Sequence, residues 1–89
     1  MVAQATLKIV NKAGLHARAS TRFVQTANRF RCNVNVRKDG QDVNGKSIMG
    51  VLLLVAAQGS DITILCDGDD AKPCLDALGE LVRTGFGED

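Results

Sequence analysis

The stretch CNVNVRKDGQ (32–41) constrains the fold of this chain more than any other. Apolar and polar residues alternate strictly through its first six positions, which is typical of a strand with one buried face and one face in water. Asp39-Gly40 then favours a tight hairpin turn, and QDVN (41–44) returns as the partner strand. We therefore expect an antiparallel sheet whose apolar face is covered by other elements. The residues expected on that face are Cys32, Val34 and Val36.

Two further strands and three helices are predicted from the rest of the chain. Apolar spacing predicts strands over 4–10 and 61–67, a helix of about three turns from His16, and a helix over 47–58. A last helix begins with Asp69 or Asp70 as its N-terminal cap. The order is βαββαβα, which predicts an α+β fold, an open-faced β-sandwich. It should form a single domain over residues 1–89, with a four-stranded antiparallel sheet and helices packed on one face.

Composition excludes several classes of protein. The chain is 45% hydrophobic and 24% charged, as folded globular domains are, and it contains no low-complexity tract. Its first residues lack a basic region followed by an apolar core, and no stretch approaches the roughly 18 apolar residues of a membrane span. These features predict a cytoplasmic protein that does not insert into membranes.

The three cysteines, Cys32, Cys66 and Cys74, are odd in number and have no C-x-x-C spacing. Such a pattern indicates neither a disulfide framework nor a zinc site. We expect them to be reduced and at least partly buried, as small apolar core residues. No bound metal and no cofactor are predicted.

Charge is divided unevenly along the chain. Residues 1–46 hold nine Lys or Arg and two Asp, whereas residues 47–89 hold two Lys or Arg and eight acidic residues. This division is compatible with a basic face for an anion or an acidic partner, and equally with ordinary solvated charges. A nucleic-acid-binding module is the main alternative of another class. Three Phe and no Tyr or Trp leave few side chains for base stacking, so no nucleic-acid partner is expected.

His16 is the single histidine of the chain and lies in AGLHARAS (13–20), at the start of the first predicted helix. A helix N-terminus presents unpaired N–H groups and a partial positive charge, so it favours an anion and a neutral imidazole. Gly14 lets the backbone turn, and the Arg18 guanidinium matches phosphate oxygens. The ring is therefore a candidate nucleophile for a phosphoryl group, while a plain helix cap or surface residue is the other interpretation.

Ser47 lies in NGKSIMG (44–50), before the second predicted helix. Capping that helix explains a serine there, and a phosphate added to it would also be tolerated at a helix N-terminus. Ile48, Met49 and Leu52 cannot all face the core of a one-sided helix, so some of them are expected in an exposed apolar patch.

GLHAR (14–18), followed about thirty residues later by GKSIMG (45–50), resembles the HPr family of phosphocarrier proteins of the bacterial phosphoenolpyruvate-dependent sugar phosphotransferase system. The resemblance implies that His16 accepts phosphate on Nδ1 from Enzyme I and passes it to an Enzyme IIA domain. It implies that Arg18 assists and that the amides of Ala17 and Arg18 meet the phosphate. Ser47 matches a regulatory serine modified by HPr kinase/phosphorylase. The positions that match the partner-docking surface are Thr21, Ile48, Met49 and Leu52.

One departure from that family concerns the residue after Arg18. Most members have proline there, whereas this chain has Ala19, which should leave the start of the helix slightly less rigid. The resemblance also leaves two possibilities open, a carrier in sugar transport and a regulatory protein, such as one of the nitrogen-related branch. In either case we expect a monomer that is covalently modified by its partners and is not itself an enzyme.

Overall fold

The computed structural model describes residues 1–88 and contains one four-stranded sheet with three helices. The strands are β1 (Val2–Lys8), β2 (Asn33–Lys38), β3 (Gln41–Asn44) and β4 (Asp61–Asp67). The helices are α1 (Ala17–Ala27), α2 (Ile48–Leu53) and α3 (Ala71–Arg83), and a 3-10 turn follows over Gly85–Gly87. The predicted βαββαβα order is therefore confirmed.

The sheet has the order β1-β4-β2-β3, and every neighbouring pair is antiparallel. Alternation in β2 and β4 sends one set of side chains into the core, as predicted for the hairpin stretch. The opposite face is polar, and Thr6 and Thr63 share a hydrogen bond of 2.9 Å across it. The buried residues of β2, β4 and the segment before β2 are Cys32, Val34, Val36, Ile62, Ile64 and Cys66.

Helices α1 and α3 cover the apolar face of the sheet and enclose the core. Their buried stripes follow the helical period, with Phe23 on α1 and Leu78 on α3 fully excluded from solvent. Phe86, from the 3-10 turn, closes the core. No helix within residues 1–88 is both long enough and apolar enough to cross a membrane.

The second helix is shorter than the predicted 47–58. Regular α-helix ends at Leu53, and the N–H groups of Leu54 and Val55 donate to carbonyls only three residues back. Val55 then adopts a left-handed φ of 48°. This turn brings the Ala56 carbonyl to the Leu15 N–H, at 2.9 Å, so a tertiary hydrogen bond replaces further helix.

Asp70 occupies the N-cap position of α3, as predicted. Asp70 precedes α3 but makes no side-chain cap hydrogen bond. Its carboxylate instead accepts the backbone N–H groups of Arg31 (2.8 Å) and Cys32 (2.9 Å), which fixes the start of β2. These two donors, chiefly the Arg31 N–H, hold the pKa of Asp70 below its usual range.

Candidate functional site

His16 forms the N-terminal cap of α1 with its ring. Its backbone is extended, with φ −78° and ψ −172°, and Nδ1 accepts the N–H groups of Arg18 (3.0 Å) and Ala19 (3.4 Å). Because Nδ1 accepts hydrogen bonds, it carries the lone pair, and the proton of the neutral ring lies on Nε2. The nitrogen that would attack an electrophile is therefore already surrounded by helix N–H donors.

The loop before His16 is held firmly by its own contacts. Asn11 Nδ2 donates to the Gly14 carbonyl at 2.8 Å, and Leu15 is buried while its N–H reaches Ala56. Gly14 adopts φ +67°, and a Cβ on it would lie 2.4 Å from the Ala56 carbonyl oxygen. The prediction that the turn needs glycine is confirmed. The loop leaves 35% of the His16 side chain exposed to solvent.

Glu88 approaches His16 from the end of the chain and was missed in the sequence analysis. Its Oε2 lies 3.2 Å from His16 Nε2, and its Oε1 accepts Asn11 Nδ2 at 3.0 Å. Glu88 Oε2 is buried and makes no hydrogen bond within residues 1–88. The contact is thus a carboxylate close to the ring edge, where positive charge on the imidazole would be stabilised.

The last turn of the chain positions Glu88. Phe86 is buried in the core, and Arg22 of α1 donates a hydrogen bond to its carbonyl oxygen. Gly85, Phe86 and Gly87 all have positive φ, between 59° and 73°. The glycines on both sides of an aromatic residue, GFGE (85–88), are the sequence signal of a tight turn that could have drawn attention to Glu88.

Arg18 and Ala17 are both exposed at the start of α1. In the part of the chain that the structure describes, the Arg18 guanidinium has no hydrogen bond and no ion pair, so its five donors face solvent. Ala17 contributes its carbonyl to the Thr21 hydroxyl at 2.8 Å. The amides that converge on Nδ1 are those of Arg18 and Ala19, and the Ala17 amide does not join them.

An apolar groove of about 290 Å³ runs beside the imidazole. His16 and Leu52 both line it, together with Val55, whose side chain is among the exposed apolar ones. Ile48 and Met49 lie on the exposed side of α2, at 40% and 69% exposure. The predicted apolar patch therefore exists, and it continues to the histidine.

Ser47 caps α2, since its Oγ accepts the Gly50 N–H at 3.1 Å. It lies at the opposite end of α2 from the groove residues beside His16. Ser47 is half-buried as a residue.

The three cysteines are the only group of three or more potential metal ligands found within residues 1–88, and they do not include His16. All three are buried, as predicted. Their spacing in the sequence does not indicate that they meet, because they come from separate segments: the residue before β2, β4 and α3.

Known proteins match this chain over almost its full length. The sequence model of the family described as "PTS HPr component phosphorylation site" matches residues 3–84. Phosphocarrier protein HPr of Neisseria meningitidis is 48% identical over 83 residues, which cover 93% of each chain. HPr of Xylella fastidiosa is 47% identical over 83 residues, again 93% of each chain. The solved structure of HPr-C-His from Thermoanaerobacter tengcongensis superposes with a TM-score of 0.95 at 42% identity, covering 98% of both chains. The chain belongs to the HPr family of phosphocarrier proteins.

Proposed function

We propose that His16 Nδ1 accepts a phosphoryl group from Enzyme I and passes it to an Enzyme IIA domain in the cytoplasm. The observation that carries this proposal is the convergence of the Arg18 and Ala19 amides on Nδ1, at 3.0 and 3.4 Å. This nitrogen carries a lone pair, belongs to a side chain that is 35% exposed, and is surrounded by donors that suit phosphate oxygens. The protein supplies position and charge, while its partners catalyse the transfers.

In the transfer step, the Nδ1 lone pair attacks phosphorus as the bond from phosphorus to its leaving group on Enzyme I breaks, and the leaving group keeps that electron pair. No proton has to leave Nδ1, since it carries none. The two amides must turn from Nδ1 to the phosphate oxygens, a small movement because they already point at the nitrogen that becomes bonded. The exposed Arg18 guanidinium supplies further donors on the solvent side.

Glu88 assists by stabilising charge on the ring. When Nδ1 forms a bond to phosphorus, the imidazole, with its proton on Nε2, gains positive character. The Glu88 carboxylate lies 3.2 Å from Nε2, so the attraction between them strengthens as the reaction proceeds. Glu88 is thus a positioning and charge-stabilising residue that acts through His16.

Partners dock on the apolar surface around His16. Leu52 and Val55 line the groove beside the imidazole, while Ile48 and Met49 are exposed on the same helix as Leu52. Thr21, which bonds to the Ala17 carbonyl on α1, completes the proposed surface. A carrier must release each partner quickly, which small and moderately apolar interfaces allow. The excess of Lys and Arg in residues 1–46 would speed the approach of acidic partners to a monomeric carrier.

HPr kinase/phosphorylase is proposed to modify Ser47. The added negative charge would lie beside Met49 and Ile48, where it would repel acidic partners and disturb apolar contacts. Ser47→Asp introduces a charge and keeps a good helix cap. We expect this variant to accept phosphate from Enzyme I more slowly than Ser47→Asn, its uncharged match, and equal rates for the two variants would refute the regulatory role.

The test of the carrier role is incubation with Enzyme I and labelled phosphoenolpyruvate. His16→Ala removes the nucleophile and the helix cap together, whereas His16→Asn removes the nucleophile and keeps a side chain that caps well. We expect one acid-labile phosphoryl group on the unchanged protein and none on His16→Asn. Label that persists on His16→Asn would overturn the assignment. Label from the kinase on Ser47 with none from Enzyme I would assign a regulator instead.

A further inference from the structure

Three cysteines that are far apart in the sequence meet in the core. Cys32 precedes β2, Cys66 lies near the end of β4, and Cys74 lies in the first part of α3. Their Sγ atoms are all within 4.8 Å of one another, and no cysteine is more than 2% exposed. The fold thus brings together three soft ligands from three separate segments of the chain, a cluster unrelated to the phosphoryl-transfer site.

We propose that Cys32, Cys66 and Cys74 form a binding site for a thiophilic divalent ion of the Zn²⁺ and Cd²⁺ type. A metal about 2.3 Å from each of three sulfurs places them roughly 4 Å apart. The observed separations, at most 4.8 Å, need only a small contraction to reach that value. A disulfide needs two sulfurs about 2.05 Å apart and thus a much larger movement of packed elements.

The three thiols should bind metal ions that form strong bonds to thiolate sulfur. All three are free, buried cysteines, and an ordinary thiol has a pKa of about 8.5, so they are protonated at neutral pH before a metal binds. Binding breaks three S–H bonds, releases three protons to solvent and forms three metal–sulfur bonds, without any change of oxidation state. The resulting site carries a net charge of −1. Because its ligands are soft sulfurs, ions that prefer oxygen ligands, such as Mg²⁺, are not expected to bind.

The surroundings of the cluster provide some electrostatic support and a route to solvent. Cys74 lies in the first turns of the 13-residue helix α3, near its positive end. Asp70 is the charged group that acts on all three thiols, and its negative charge is partly balanced by the two backbone N–H groups it accepts. An open groove of about 460 Å³ borders Cys32, with Gly68 in its wall. Gly68 packs closely against Cys32, since a Cβ on it would lie 2.8 Å from the Cys32 Cβ.

The cluster lies at the opposite end of the sheet from His16. Lys8, at the end of β1 that leads to the His16 loop, pairs with Asp61 at the start of β4. Cys66 lies five residues further along β4, paired with Ala3. The metal site therefore goes beyond the proposed carrier function, and its test does not require phosphoryl transfer.

The experiment is a titration of the reduced protein with Cd²⁺ under anaerobic conditions, repeated with Zn²⁺ and with Mg²⁺. We expect one Cd²⁺ per chain, an ultraviolet thiolate-to-metal charge-transfer band, three protons released, and unchanged far-UV circular dichroism. Zn²⁺ should compete with Cd²⁺, whereas Mg²⁺ should not. In Cys66→Ala and Cys74→Ala, proton release should fall to two. The affinity should fall by more than the roughly 10- to 100-fold typical of losing an outer-shell partner.

Val34→Ala is the matched control. Val34 is buried in β2 and pairs with Cys66 on β4, so this variant loses core volume beside the cluster and keeps all three thiols. It should bind Cd²⁺ like the unchanged protein. The proposal is overturned by the absence of a charge-transfer band at one equivalent, by two protons released from the unchanged protein, or by binding that occurs only as the circular dichroism of the fold is lost.

Discussion

Gly14→Ala tests the link between the fold and the His16 loop. The substitution forces alanine into φ +67°, which costs about 1–2 kcal/mol for a residue with a Cβ. The new Cβ would also lie 2.4 Å from the Ala56 carbonyl oxygen and 3.0 Å from the Ala57 Cα, both of them backbone atoms. Backbone must therefore shift, at a further cost of about 1–3 kcal/mol. The expected loss of unfolding free energy is about 2–5 kcal/mol in total.

Gly40→Ala separates the conformational cost of a positive φ from the steric cost of the Cβ contact. Gly40 also has a positive φ, +81°, but nothing lies within 4 Å of the position that a Cβ would take there, so only the conformational cost remains. Urea unfolding followed by far-UV circular dichroism suits a chain without Trp or Tyr. We expect Gly14→Ala to be less stable than Gly40→Ala by about 1–3 kcal/mol. We also expect only Gly14→Ala to accept phosphate from Enzyme I more slowly, because the shift displaces His16. Equal stabilities, within about 0.5 kcal/mol, would refute the steric argument.

Three further outcomes are expected. Glu88→Gln should lower the rate of phosphoryl acceptance from Enzyme I by about fivefold, or roughly 1 kcal/mol, while Glu80→Gln, which loses only an exposed ion pair, should not change it. Because the folded state lowers the pKa of Asp70, its contribution to stability is present above about pH 4 and is lost as the pH falls through the lowered value. Urea unfolding of Asp70→Asn at pH 7 and pH 3 should therefore show a smaller loss on acidification than the unchanged protein shows, and an equal loss would contradict the assignment. Ser47→Ala should reduce the unfolding free energy by about 1 kcal/mol, because the Gly50 N–H loses its acceptor, and an unchanged urea midpoint would contradict this.

The strands and the beginnings of the first two helices are predictable because their signals are local. Alternation in residues 32–37 fixes which face of β2 is buried, and Asp39-Gly40 fixes the turn that follows. The end of α2 is not predictable in this way. It depends on the hydrogen bond between the Ala56 carbonyl and the Leu15 N–H, two groups that come together only in the folded chain. The contacts of Asp70 are also not predictable from the local sequence. Its carboxylate accepts backbone N–H groups that are 38 and 39 residues away instead of those of its own helix.

The candidate site also contains residues that the local sequence predicts and residues that meet only in the folded chain. His16 and Arg18 can be identified from the sequence because a helix start is readable and its unpaired amides follow from helix geometry. Glu88 is 72 positions from His16 and meets it only through the packing of Phe86. The three cysteines likewise show no metal-binding spacing, since the distances between their sulfurs are set by how β2, β4 and α3 pack. Spacing rules find sites built from one segment and overlook sites assembled from several.

Ala19 affects how readily the proposed carrier can release the phosphoryl group that it accepts. In the free protein its N–H, 3.4 Å from Nδ1, joins that of Arg18 in capping α1, a donor that proline at this position would lack. In the phosphorylated form the same donors would turn to phosphate oxygens, so the helix exchanges one acceptor for another. A side-chain cap contributes about 1 kcal/mol, and an anion at a helix N-terminus contributes about 0.3–1 kcal/mol. Because these contributions are similar in size, the fold itself favours neither form strongly, and the direction of transfer is left to the partners.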